Sequence, residues 1–71
     1  MLQKTKIKLD NGFTVSLITG DHYGYYCSLN TYEVAILDKN DKISYELNED
    51  VWGYQSTVEV LEIIKKVSEL K

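Results

Sequence analysis

The sequence predicts an α+β domain: a four-stranded, mainly antiparallel sheet made of two hairpins, with one C-terminal amphipathic helix packed on one face. Three observations predict it. Apolar and polar residues alternate in four short segments, turn residues separate these segments in pairs, and apolar residues recur at helical spacing after position 56. Because 71 residues suffice for one hydrophobic core, residues 1–71 are predicted to form a single domain.

The first hairpin is predicted from strands at 4–9 and 13–17. A two-residue turn at Asn11 and Gly12 would set charged side chains beside apolar ones on the same face. A three-residue turn, with Gly12 in the left-handed conformation, places Ile7 opposite Val15 instead. The side chains predicted to face the core are Thr5, Ile7, Leu9, Phe13, Val15 and Leu17.

The second hairpin is predicted from strands at 32–37 and 43–47, joined by a turn at residues 38–41. This register places Ile36 opposite Ile43 and Val34 opposite Tyr45, so that the apolar faces match. The oxygen-bearing side chains of the turn do not match a calcium loop, which needs a glycine where this sequence has Ile43. Asp and Asn in this segment are typical of a tight hairpin turn.

The helix is predicted to begin at a capping box formed by Ser56 and Glu59. Its apolar stripe consists of Val60, Leu61, Ile63, Ile64, Val67 and Leu70. Residues 48–55, between the last predicted strand and the helix, are expected to form a connection that contains Trp52.

Composition narrows the class of protein. The single cysteine, Cys27, excludes an intramolecular disulfide and favours a reducing compartment. The sequence starts without the apolar run of a signal peptide and contains no long apolar span, so a cytoplasmic protein with no membrane helix is expected. All eight cations are lysine and the net charge is −3, which disfavours nucleic-acid binding. Homodimerisation would add buried surface to so short a chain.

Two features favour a protein-interaction module, one that could act as an inhibitor. Residues 19–31 form a long predicted loop rich in tyrosine, and residues 33–50 are clearly acidic. Tyrosine supplies large, rigid contact area with a polar tip. The residues predicted to bind a partner are Tyr23, Tyr25, Tyr26, Glu33, Glu46, Glu49 and Asp50. The alternatives are that the rings cap the core, or that they wall a small-ligand or nucleotide pocket under the 19–31 loop.

An enzyme is the least favoured class. Cys27 and His22 lie five residues apart in the long loop, and Asp21 could orient the histidine of a nucleophilic pair. Cysteine is more often a small, partly buried apolar residue, and no wider catalytic motif surrounds this one. One histidine and one cysteine are too few for a structural zinc site, so no metal or other cofactor is predicted.

Five short motifs together resemble a group of small uncharacterised proteins encoded by phages and prophages of Gram-positive bacteria. They are Asn11-Gly12, Val15-Ser16, Tyr23-Gly24, the run 32–38 and the run 50–54, and the likeness extends from about Asn11 to Val67. The sequence departs from that group at Tyr25, where a second glycine is common, and at Trp52, where an aliphatic residue is common. The resemblance implies a small accessory protein that binds a host or phage protein in the bacterial cytoplasm, and it implies no catalytic residue.

Overall fold

The computed structural model describes residues 2–21, 24–47 and 51–70. Its elements are β1 (Leu2–Lys8), β2 (Thr14–Gly20), β3 (Tyr32–Leu37), β4 (Trp52–Gln55) and α1 (Thr57–Ser68). The strands form one antiparallel sheet in the order β1-β2-β3-β4, and α1 packs against one face. This confirms the predicted α+β fold. Among the described residues, no helix is long and apolar enough to cross a bilayer.

The first hairpin has the predicted turn and register. The Leu9 N–H donates to the Phe13 carbonyl at 2.8 Å, and the Gly12 N–H donates to the Leu9 carbonyl at 3.1 Å. Gly12 has a φ of 93°, the left-handed conformation that glycine adopts without a steric penalty. Ile7 lies opposite Val15, as predicted. The turn residues therefore set the register that brings the apolar faces together.

The second hairpin uses the same kind of turn, and the predicted four-residue turn is wrong. The Asp38 N–H donates to the Lys42 carbonyl at 2.7 Å, and the Asp41 N–H donates to the Asp38 carbonyl at 2.9 Å. The loop therefore comprises residues 39–41, and Asp41 takes the place of Gly12 with a φ of 61°. The Asp38 side chain supports this turn by accepting the backbone N–H groups of Asn40 and Lys42.

This shorter loop moves the pairing by one residue and reverses the faces of the segment that follows. Ile43 pairs with Leu37 rather than Ile36, and the Ser44 N–H donates to the Ile36 carbonyl at 2.8 Å. Ser44 is consequently buried, whereas Ile43 and Tyr45 are exposed. The predicted strand at 43–47 is reduced to an isolated bridge.

The fourth strand is β4, in the segment predicted to be a connection. Trp52 lies opposite Val34 and Gln55 lies opposite Tyr32. β4 and the Ser44 N–H thus pair with backbone groups of β3 on the side that faces away from β2. Trp52 packs against the core through this pairing.

The core lies between α1 and the sheet and contains Val15, Val34, Ile36, Val60, Ile63 and Val67. Phe13, Leu17, Ile64 and Leu70 pack around it, as predicted. Leu61 does not, because it is 60% exposed. At about 100° per residue it lies well off the direction shared by Val60, Ile63 and Val67. Thr5 is also exposed, contrary to prediction, because the helix makes its main contacts with β3 and β4 and leaves β1 largely uncovered.

Both ends of the helix are fixed by side chains. The Glu59 N–H donates to Ser56 Oγ at 3.2 Å, and the Ser56 N–H donates to Glu59 Oε1 at 2.8 Å, which confirms the predicted capping box. At the other end, Asn11 Nδ2 donates to the carbonyls of Val67 at 2.8 Å and Leu70 at 2.9 Å. The first hairpin turn therefore caps the C-terminus of the helix.

Candidate interaction surface

The tyrosine-bearing loop lies on the sheet face opposite the helix, which we call the open face. Lys4, Ile18 and Glu33 form a row across β1, β2 and β3. Because Val34 packs in the core, Glu33 points to the open face. Lys4 Nζ lies 5.5 Å from the centroid of the Tyr25 ring, within the range of a cation–π contact. Tyr25 is accordingly half-buried.

Two backbone hydrogen bonds fix Tyr26 between β3 and β4. The Tyr26 N–H donates to Glu33 Oε2 at 2.8 Å. The Tyr26 carbonyl accepts the N–H of Tyr54 at 2.8 Å. The loop is therefore bonded to a side chain of β3 and to the backbone of β4, which limits how far Tyr26 can move relative to the sheet.

A bulge in β4 makes this arrangement sterically feasible. The register shifts between the Tyr32 and Val34 pairings, so that Gly53 and Tyr54 together oppose Glu33. A Cβ atom on Gly53 would lie 2.8 Å from Tyr26 Cβ, closer than two carbon atoms normally approach. Glycine is therefore required at position 53 for the loop to approach the strand.

Tyr54 adopts a left-handed backbone conformation, with a φ of 53°. This conformation is unfavourable for a bulky side chain and persists only where the surroundings enforce it. Here the bulge and the bond to the Tyr26 carbonyl enforce it. Strained residues of this kind cluster at functional sites, which makes Tyr54 a candidate functional residue.

The rings of Tyr26 and Tyr54 form an exposed pair. Their centroids are 6.5 Å apart and their planes meet at 70°, an edge-to-face geometry. Each residue remains 58% exposed. We call these two rings the tyrosine pair. The sequence analysis missed Tyr54, because its position depends on the bulge and on a contact 28 residues away in the chain; only its place after Gly53 could have pointed to it.

The structure brings together three of the seven predicted site residues: Tyr25, Tyr26 and Glu33. The Glu33 carboxylate is bonded to the Tyr26 backbone, so Glu33 positions the loop. Glu46 is exposed in the segment after the second hairpin, and among the described contacts none joins it to the tyrosine pair. Tyr23, Glu49 and Asp50 lie outside the described residues.

Cys27 is buried, and its Sγ atom lies 3.5 Å from the Gly20 carbonyl. Burial raises the pKa of the Cys27 thiol, and the negative charges of Glu33 and Asp21 raise that pKa further. A raised pKa disfavours the thiolate, which is the nucleophilic form. His22, the other member of the candidate pair, lies outside the described residues.

The base of the loop borders a shallow concavity. Thr19 Oγ1 donates to the carbonyls of Thr31 at 2.8 Å and Ser28 at 3.1 Å, which anchors the loop to β2. A cavity of about 290 Å³ beside this anchor is lined by Gln3, Thr19, Gly20 and Leu29. Neither Tyr25 nor Tyr26 lines it, so these two rings do not form the walls expected of a ligand pocket there.

Within the described ranges, no group of three His, Cys, Asp or Glu side chains could hold a metal ion. No protein-family model, curated protein or solved structure matches the chain.

Proposed function

We propose that this chain is a small protein-interaction module of the bacterial cytoplasm, and that the tyrosine pair is the centre of its binding surface. The observation that carries the proposal is the conformation of Tyr54. An aromatic residue is held in a strained backbone conformation, and its ring remains exposed beside that of Tyr26. A strained residue that contributes little to the core is better explained by recognition than by packing.

The tyrosine pair has the properties of a binding hot spot. Tyrosine contributes a large contact area and a hydroxyl group, and it has few rotatable bonds. The Glu33 carboxylate, the bond from the Tyr54 N–H and the close packing on Gly53 hold the backbone beneath the rings. Because this backbone is fixed before binding, association loses little further conformational entropy.

The charge around this surface favours a basic partner. The chain carries a net charge of −3, and in the sequence Asp50 and Glu49 come two and three residues before Trp52, the first residue of the strand that bears Tyr54. Acidic groups at the rim of an interface accelerate association with a positively charged partner. The resemblance to phage and prophage proteins supports a host or phage protein as that partner, and inhibition as the outcome of binding.

The test combines affinity capture with a matched pair of variants. The tagged protein, Tyr26→Ala/Tyr54→Asn and Tyr45→Ala are each used to capture proteins from bacterial lysate, and the affinity of any captured protein is then measured by calorimetry. Asparagine tolerates the left-handed conformation, so Tyr54→Asn removes the ring and retains the bulge. Tyr45 is 65% exposed and serves as the control for loss of a surface tyrosine.

We expect a partner that binds wild type and Tyr45→Ala equally and binds Tyr26→Ala/Tyr54→Asn at least about 30-fold more weakly, as for loss of a hot spot. Circular dichroism of the double variant should match that of the wild type. Equal affinity of the wild type and the double variant for every captured protein would refute the proposal.

A further inference from the structure

The outer edge of β1 carries an arrangement that the tyrosine pair does not explain. β1 is the first strand of the sheet order and spans seven residues, Leu2–Lys8. Among the described residues, no segment pairs with the side of β1 that faces away from β2. An unpaired edge of this length is a template for another extended chain.

The hydrogen-bond pattern of the hairpin identifies the backbone groups on this edge. The Leu9 N–H bonds to the Phe13 carbonyl, so residues 9, 7, 5 and 3 direct their backbone groups toward β2. Lys4, Lys6 and Lys8 therefore direct their N–H and carbonyl groups outward. The edge thus offers three lysine residues whose donors and acceptors are available for pairing.

The side chains of the same three lysines lie on the open face. Ile7 faces the core opposite Val15, so its neighbours Lys6 and Lys8 point the other way. Lys4 is engaged with the Tyr25 ring. Within the described residues, Lys6 and Lys8 form no ion pair, and with Lys39 and Thr14 they line a cavity of about 300 Å³.

Asp38 and Asp41 border the same cavity. Asp38 Oδ1 accepts two backbone N–H groups of its own turn, and among the described residues neither Asp38 nor Asp41 forms an ion pair with Lys6 or Lys8. The lysine side of the cavity, on β1, therefore remains available to a negative group from outside.

We propose that the β1 edge binds an extended peptide that has acidic side chains at alternate positions and adds to the sheet as a fifth, antiparallel strand. Main-chain hydrogen bonds to Lys4, Lys6 and Lys8 supply affinity, as in other cases of strand addition. Side chains directly across from these residues project on the same face, so carboxylates at every second position meet the lysines. The register of acidic residues supplies the specificity.

A second copy of this chain is a poor occupant of the same edge. In an antiparallel pair of β1 strands, the residues with outward backbone groups must pair with one another. Lys4, Lys6 and Lys8 of one copy would then lie opposite lysines or Leu2 of the other. Like charges directly opposite one another are destabilising, so the edge that favours an acidic strand opposes self-association.

The test uses a capped peptide that alternates Glu with Val and Thr, and amide NMR together with calorimetry as readouts. We expect the peptide to perturb the amides of residues 2–8 and to bind less tightly as salt increases. Lys6→Gln/Lys8→Gln should bind about tenfold more weakly. Lys65→Gln/Lys66→Gln, which removes the same charge from the exposed face of α1, should bind as wild type does.

Two further probes separate strand addition from charge attraction alone. The same peptide with N-methyl groups on the amides that face β1 keeps its carboxylates and loses its donors, so it should not bind. Inorganic phosphate should not perturb residues 2–8 at the peptide's concentration.

The proposal is overturned if the peptide fails to bind, if the N-methylated form binds as well, or if Lys65→Gln/Lys66→Gln is equally impaired. Perturbation of the same amides by phosphate alone would make the site an oxyanion site instead. Concentration-dependent dimerisation through β1 would also overturn the proposal of strand addition by an acidic peptide. Tyr26→Ala/Tyr54→Asn should bind the peptide normally, which keeps this surface distinct from the tyrosine pair.

Discussion

Individual backbone conformations decide both hairpin geometry and the candidate interaction surface. Among the described residues, two other than glycine have left-handed backbone angles, Asp41 and Tyr54. Asp41 occupies the turn position that Gly12 occupies in the first hairpin, and it is exposed. Aspartate tolerates this conformation better than most residues, but glycine has no penalty there. The strain at Asp41 is therefore removable without loss of a core contact.

Asp41→Gly is expected to raise the free energy of unfolding by about 0.5–1 kcal/mol, because relief of the left-handed strain exceeds the added freedom of the unfolded chain. Asn40→Gly, one residue earlier at a position without positive φ, is the control and should lower this free energy by a similar amount. Urea titration followed by circular dichroism measures both. A lower midpoint for Asp41→Gly would contradict the assigned turn.

At the scale of the element, the helix shows why periodicity alone overestimates an apolar stripe. Val60, Ile63 and Val67 share one direction and are buried, whereas Leu61 is exposed although it belongs to the same run of apolar residues. The contacts of α1 with β3 and β4 cover a narrower sector than the apolar residues of the helix occupy.

Ile63→Ala should lower the free energy of unfolding by about 2–4 kcal/mol, because it leaves a cavity in the core. Leu61→Ala removes a side chain of the same number of carbons from the exposed side and should change this free energy by less than about 0.5 kcal/mol. Chemical denaturation of the two variants gives the comparison. Similar losses for both would mean that Leu61 is buried against something, for example in an oligomer.

The elements that the sequence predicted well are those whose signals are local. Gly12 marks the first turn, and Ser56 with Glu59 marks the start of the helix. The second hairpin was mispredicted because aspartate, unlike glycine, does not mark a left-handed position in a sequence. The predicted turn had one residue too many, and a shift of one residue reverses the face of every side chain that follows. β4 was missed because it is short and its bulge interrupts the alternation of faces.

The candidate interaction surface was predictable only in part, for the same physical reason. The concentration of tyrosine in the loop indicated Tyr26, since residue composition carries that information. Tyr54 belongs to the surface because its N–H reaches the Tyr26 carbonyl, a tertiary contact that no local pattern specifies. The role of Glu33 as a support for the loop likewise depends on the pairing of β3 with β2.

At the scale of the whole molecule, one side chain joins the first hairpin to the C-terminus of the helix. Asn11 Nδ2 donates to the carbonyls of Val67 and Leu70, while its Oδ1 accepts the Phe13 N–H at 3.2 Å. The Leu70 carbonyl lies beyond the end of the helix, and the Val67 carbonyl, which also accepts the Leu70 N–H at 3.0 Å, gains a further donor. The bonds from Asn11 also fix the distance between the helix and the turn of the β1–β2 hairpin.

Asn11→Asp keeps the acceptor for Phe13, removes both donors and places a negative charge beside the negative end of the helix dipole. We expect the free energy of unfolding to fall by about 1–3 kcal/mol. Asn30→Asp makes the same chemical change at an exposed turn residue and should alter this free energy by less than about 0.5 kcal/mol. Thermal and urea unfolding of the two variants test this, and equal stability of Asn11→Asp and wild type would show that the capping bonds contribute nothing.

The Asn11 cap has a consequence for synthesis of the protein on the ribosome. Val67 is added 56 residues after Asn11, and at about 5–20 residues per second this interval lasts roughly 3–11 seconds. Val15 and, once it has been added, Val34 have no helix to cover them during this interval. The helix can therefore cover this face, and Asn11 can cap it, only after the segment up to Leu70 has been made and has left the ribosome.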